Sequence, residues 1–142
     1  MTSKQISVFI ENRKGRLKEI LRVLKDADVN ILSMSLADTA EYGLLRIIAD
    51  KAESGKTALT AAGFSCMLSD VFILRIPHVP GALQGILEVI ADEELNVEYM
   101  YGLSAAAEGA SIVVKISNAD GAEDAFKRHG IQTLDGAELA NH

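Results

Sequence analysis

The strongest constraint in this chain is that it repeats itself. ENRKGRLKEILRVLKDADVNI at 11–31 returns as PHVPGALQGILEVIADEELNV at 77–97. Gly15 matches Gly81, Leu17 matches Leu83, Ile20 matches Ile86, Leu21 matches Leu87 and Asn30 matches Asn96, all at one offset of 66 residues. Gly43 and Gly109, and Gly55 and Gly121, keep the same offset, so the repeat is expected to run through each half. The chain is thereby restricted to two copies of one small fold, with 1–68 as the first domain and 69–142 as the second. Domains of that size bury only about 60% of their extended surface. Copies so small gain by packing together.

Composition narrows the class. Apolar residues make up 49% of the chain, yet runs such as VFIL at 71–74 fall far short of a membrane span, which needs roughly 18 residues. No membrane partner is expected. The start, MTSKQISVFIENRKG, has no signal-peptide apolar region or cleavage site, so a cytoplasmic location is expected. The lone Cys66, set in FSCML, excludes an internal disulfide and a cysteine-rich metal cage. A packing role is expected for it, and no metal or cofactor. Residues 1–66 carry ten basic and eight acidic side chains, a net +2, whereas residues 67–142 carry four and twelve, a net −8. An acidic chain without an arginine-rich stripe argues against nucleic acid.

Each repeat reads as strand, helix, strand, strand, helix, strand. Ile6, Val8 and Ile10, and Phe72, Leu74 and Ile76, alternate with period two, the mark of a strand. Leu17, Ile20, Leu21 and Leu24, and Leu83, Ile86, Leu87 and Ile90, fall at i, i+3, i+4, i+7 and predict one apolar stripe along a helix beginning at Arg16 or Ala82. Second strands follow at 31–37 and 97–103, and third strands at 44–49 and 112–116, after turns at TAEYG and AAAEG. Second helices are expected at 52–62 and 121–129, the latter capped by Asp120, with Gly63 and Gly130 ending them. Strands at 66–68 and 132–134 close the repeats.

This βαββαβ order, read twice, gives an α+β protein: two tandem ferredoxin-like domains, each an antiparallel sheet with its helices on one face. Val8, Leu45 and Ile47 are expected to face the helices. Phe9, Met34, Leu44 and Ile48, with Ile73, Met100 and Val113 in the second copy, are expected on the other face. A solvated face would read polar. The sheets are therefore expected to extend edge to edge or to stack on another sheet, within the chain or in a dimer.

With the residues set out, both halves resemble ACT domains, small βαββαβ modules that bind amino acids and regulate metabolic enzymes. The resemblance rests on NRKGRLKEI and HVPGALQGI after the first strand of each copy, and on VNI and NV opening VNILSMS and NVEYMYG. It covers essentially the whole chain. It implies an effector site at the loop between first strand and first helix, together with neighbouring residues across a domain interface, and it implies no catalysis. On this chain the site residues are Asn12, Lys14, Gly15, Arg16, Leu17 and Asn30 in the first copy, and Val79, Gly81, Ala82, Leu83 and Asn96 in the second.

Chemistry supports the placement. A helix start carries free N–H groups and a partial positive charge that suit a carboxylate. A glycine there lets a ligand approach the backbone, and Asn12, Asn30 and Asn96 both donate and accept hydrogen bonds, which suits an amino acid. Other readings stand beside these. Asn30 and Asn96 also fit left-handed turn positions. Arg13, Lys14, Arg16 and Lys18 form either a solvated face or an anion lure. Asp92, Glu93 and Glu94 read as solvent-facing, Tyr99 and Tyr101 as core or interface, and His78 as a loop residue with no catalytic partner.

The functional expectation is a non-catalytic regulator that senses a free amino acid, forms a homodimer and acts in trans on a metabolic enzyme, transporter or transcription factor. Two alternatives come from other classes. One is a dimerisation module that binds nothing small. The other is an acylphosphatase-like enzyme, to which Arg13 and Asn30 invite comparison, although NRKGRL supplies one glycine where a phosphate cradle needs several. RNA binding through strand aromatics has only Phe9, Tyr99 and Tyr101 to offer.

Overall fold

The computed structural model describes residues 1–11, 14–38, 42–106 and 109–136. Two compact units emerge: of the described residues, the first holds Lys4–Ser69, and the second holds those from 70 to 136 together with Met1–Ser3. Along the first run β1 (Ser3–Glu11), α1 (Arg16–Asp26), β2 (Ile31–Asp38), β3 (Tyr42–Ala49), α2 (Ala52–Ala61) and β4 (Ser65–Ile76). The second continues through α3 (Ala82–Asp92), β5 (Val97–Ala106), β6 (Gly109–Ile116), α4 (Ala119–Arg128) and β7 (Gln132–Leu134). Strand order is β2-β3-β1-β4 in the first unit and β5-β6-β4-β7 in the second. This is the ferredoxin-like arrangement, made twice. The strands expected separately at 66–68 and 72–76 are one strand, β4, because nothing in SCMLSDVFILRI breaks an extended chain.

Each unit has its own core between sheet and helices. In the first, Ile6, Val8, Leu45 and Ile47 meet Ile20, Leu24 and Leu59, with Cys66 and Leu68 packed against them. In the second, Phe72, Leu74, Ile112 and Val114 meet Ile86, Ile90 and Phe126. Phe72 and Phe126 meet edge to face, their centroids 5.1 Å apart. The helix stripe is narrower than the periodicity suggests: Ile20 and Leu24 are sealed, but Leu21, Leu83 and Leu87 each keep 37% of their surface exposed.

Helices α1 to α4 end in the same way. The residue after the C-cap takes a left-handed conformation and donates to the carbonyl three residues back, and the next residue, always apolar, donates five back. Gly63 and Gly130 fill that left-handed place as expected (φ 93° and 69°). In α1 and α3 it is held by Asp28 and Glu94 (φ 59° and 58°), so the expectation that Asn30 and Asn96 stand there is corrected. The donors Val29 and Leu95 settle it, because their bonds to Leu24 and Ile90 fix the preceding residue as the turn. A second correction concerns α4. It starts at Ala119, and its cap is Asn118, not Asp120, because Asn118 Oδ1 accepts from the Gly121 N–H at 3.1 Å.

Register corrects two faces and two matches. Met34 pairs with Ile47 and Met100 with Val114, so both lie on the helix side of their sheets, where Met100 packs against the core. Directly opposed residues share a face. The alternation flips because β2 skips a residue between Ile31 and Ser33, and β5 between Val97 and Tyr99. A third irregularity, between Gly102 and Ser104, has no counterpart in β2. Leu103 is one extra residue taken up as a bulge. Beyond it the offset between copies becomes 67, as Ile47 and Val114 show in their pairing to Ile6 and Phe72. Gly43 is thus matched in space by Ala110 and Gly55 by Ala122, not by Gly109 and Gly121.

Of the side chains expected on the face away from the helices, Ile48, Ile73 and Val113 are buried, while Phe9 remains half exposed. Gln5 and Ser7 share that face in the first unit, are buried, and are joined by a 3.1 Å hydrogen bond from Gln5 Nε2 to Ser7 Oγ. Glu93, expected to face solvent, is instead half-buried and paired with Arg128 and His129.

Candidate functional site

The turn into the first helix of each unit is the same object. Gly15 and Gly81 stand immediately before α1 and α3 at φ 87° and 85°, in the left-handed region. A Cβ on either would meet nothing within 4 Å. Glycine is therefore demanded by the backbone angle and not by crowding. Among the described residues neither helix has a side-chain cap at this end, so first-turn N–H groups, apart from that of Ala82, remain available.

Beside each turn lies a cleft. In the first unit it has a volume of about 450 Å³ and is lined by Phe9, Ile10, Glu11, Arg16, Gly63, Phe64 and Ser65. In the second it has about 390 Å³ and is lined by Arg75, Ile76, Pro77, Ile86, Gly130, Ile131 and Gln132. The two correspond: each is closed by the end of a strand on one side and on the other by the left-handed glycine that ends the unit's second helix.

The chemistry of the clefts is mixed. Arg16 lies over the Phe64 ring, with its guanidinium carbon 4.3 Å from the centroid, a cation–π arrangement. Its Nη1 donates to Glu19 Oε2 at 2.9 Å. Its Nε is buried without an acceptor among the described residues, and so is that of Arg75. The walls are otherwise mostly apolar, which strengthens any charge interaction made inside.

The expected site residues divide. Asn12, with Arg13, lies outside the described residues. Lys14 and Gly15 lead into α1, Arg16 enters the cleft, and Leu17 packs on the first core. In the second unit Val79 is exposed, its carbonyl accepting from the Ala82 N–H at 3.3 Å; Gly81 and Ala82 follow, and Leu83 turns outward. Asn30 and Asn96 are not brought to these turns within their units. They stand past the far end of an eleven-residue helix, about 16 Å long at 1.5 Å per residue. There the Asn30 N–H donates to Asp50 Oδ1 at 2.8 Å, and Asn96 Nδ2 donates to Ser117 Oγ at 3.4 Å.

Sequence reasoning missed Phe9, Glu11, Phe64 and Arg75. Arg75 left a signal, a charge inside the apolar strand VFILRI, and Phe64 left another, directly after a helix-ending glycine. Among the described residues there is no group of His, Cys, Asp and Glu able to hold a metal, and no helix is long and apolar enough to cross a membrane.

Comparison with known proteins agrees with the fold. The ACT domain pair family matches residues 1–141. Among solved structures, protein BT0572 from Bacteroides thetaiotaomicron is 33% identical, with 98% of this chain and 96% of that one covered and a TM-score of 0.93. The fold is also similar to the regulatory subunit of aspartate kinase from Thermus thermophilus, in a ligand-free form, at 17% identity, 87% and 88% coverage and a TM-score of 0.67. The same subunit from Thermus flavus gives 18%, the same coverage and 0.64. No curated protein matches. With two βαββαβ units, paired left-handed glycines and a family match over nearly every residue, the chain belongs to the ACT domain pair family.

Proposed function

We propose that this protein is a non-catalytic regulator that binds a free amino acid and acts in trans on a separate metabolic enzyme or regulator. The observation that carries this is a repetition: two left-handed glycines, each opening a helix with no side-chain cap among the described residues, and in each unit a cleft of several hundred Å³ with an arginine in its lining. An amino acid offers a carboxylate to such a place and a side chain to the apolar wall. The family match and the similarity in fold to regulatory subunits of aspartate kinase are in keeping with a regulatory role. The loops at Gly15 and Gly81 are the proposed contacts, in domains 1–68 and 69–142, within a cytoplasmic homodimer. Association is favoured by the half-exposed Phe9, Leu36 and Met67.

The test is a thermal-shift screen against the twenty common amino acids. A ligand that binds only the folded state at about 100 times its Kd adds roughly 2.7 kcal/mol, which raises Tm by several degrees. No response to any of them at millimolar concentration would return the protein to a dimerisation module.

A further inference from the structure

We propose that the two clefts are carboxylate sites in which one arginine apiece receives the anion: Arg16 in the first unit and Arg75 in the second. This rests on the reading of the protein as an amino-acid binder and assigns the carboxylate to named donors.

The two copies supply the cation from different elements. Where the first cleft has Phe9 on its strand, the second has Arg75; where the first has Arg16 at its helix, the matching residue of α3 is Ala82. Each cleft has one arginine, the only basic side chain among the described residues of its lining.

Both guanidinium groups lack the same acceptor. On Arg16 the Nη1 end is engaged by Glu19 and the flat face by Phe64. What remains is the edge formed by Nε and Nη2, the edge that grips a carboxylate through two parallel N–H···O bonds. Its Nε has no acceptor among the described residues. Arg75 is held on β4 between Ser111 of β6 and Gln132 of β7, and its Nε is likewise buried and unsatisfied. Buried N–H donors ordinarily find partners. A ligand oxygen entering from the cleft, with a small shift of the side chain, completes both. Arg16 adds a further sign: it opens α1, where the dipole opposes a cation and favours an anion.

The experiment follows the arginine Nε–Hε signals of the full chain by ¹H–¹⁵N spectroscopy. The probes are the twenty common amino acids, with acetate as a bare carboxylate and methylamine as a bare ammonium. Arg16→Lys and Arg75→Lys assign the signals and keep the charge while removing the two-bond edge. We expect at least one amino acid, and acetate more weakly, to move both arginine signals, and methylamine to move neither. Each lysine variant, its fold checked by circular dichroism, loses at least tenfold in affinity at its own cleft; if a variant does not fold, titration of the parent decides. If an amino acid raises Tm while both signals stay in place, the carboxylate assignment is overturned and the function stands. If acetate moves the signals while no amino acid raises Tm, the assignment stands and the function is overturned. If nothing responds, both fall; if one arginine alone responds, the assignment fails for the other unit.

Discussion

The first and second units share a backbone and differ in what fills it. In the first, Ile6 and Leu59 meet beneath α2, and Gly55 packs so closely that a Cβ there would lie 2.8 Å from Ile6 Cδ1, which would have to shift. In the second, the matching places hold Phe72, Phe126 and a fully buried Ala122. At the clefts the weighting reverses, with Phe9 and Phe64 in the first against Arg75 and Ile131 in the second, and Glu11 against Pro77. What recurs is what the chain needs to turn, the left-handed residues and the apolar C″ residues behind them. The filling is set separately in each copy, constrained only by volume and charge.

The largest expected effect tests the two cores. Removing a buried aromatic leaves a larger cavity than removing an aliphatic side chain, so Phe126→Ala should cost about 4 kcal/mol and Leu59→Ala about 3 kcal/mol. Urea unfolding measures both. If Leu59→Ala proves the costlier, the second core does not depend on its aromatic pair as the edge-to-face contact indicates.

A smaller effect sharpens the match between copies. If Leu103 is an extra residue absorbed by a bulge, its deletion restores an uninterrupted offset of 66 and a β5–β6 ladder that is regular from Tyr99 onward. Stability should then stay within about 1 kcal/mol of the parent, since no residue on the core side of that gap changes face. A loss of several kcal/mol would mean that the ladder beyond Gly102 needs the bulge.

The smallest effect concerns a cluster that only the second unit has. Glu93 at the end of α3 accepts from both Arg128 Nη atoms, at 2.8 and 2.9 Å, and lies 3.1 Å from His129 Nε2; the matching residue in the first unit is Ala27. The hydrogen bonds from Arg128, then from His129, lower the Glu93 pKa, and Glu93 raises that of Arg128. A carboxyl whose folded pKa is lowered adds stability above the ordinary glutamate range and loses it as the pH falls through the folded value. Glu93→Gln should therefore lower Tm slightly at pH 7, with the gap closing below about pH 4. The effect is slight because Arg128 is exposed and solvent screens the pair. A gap that persists at pH 3 would mean that the carboxylate charge is not what matters.

Much of the fold was legible because it is written locally. The order of strands and helices, the starts at Arg16 and Ala82 and the ends at Gly63 and Gly130 each follow from a few adjacent residues. The left-handed turns at Asp28 and Glu94 were missed because neither residue announces the conformation, as glycine does. The faces of Met34 and Met100 were misassigned because alternation was carried through strands that each skip a residue. Of the site, the glycine turns were legible from the repeat. The clefts were not, since Arg16 meets Phe64 only once α2 and β4 have returned to the start of α1.

The sequence by itself determined the duplication, the βαββαβ order and the turn glycines, because these depend on periodicity and on backbone angles that single residues dictate. Only the tertiary structure decided which helix residues are sealed, where the extra residue is absorbed, that Gly55 packs tightly against Ile6, and that Arg16 and Arg75 reach equivalent clefts from different elements. Those outcomes depend on which parts of the chain, far apart in sequence, come to share a wall, and packing between them is a property of three-dimensional space that no local pattern encodes.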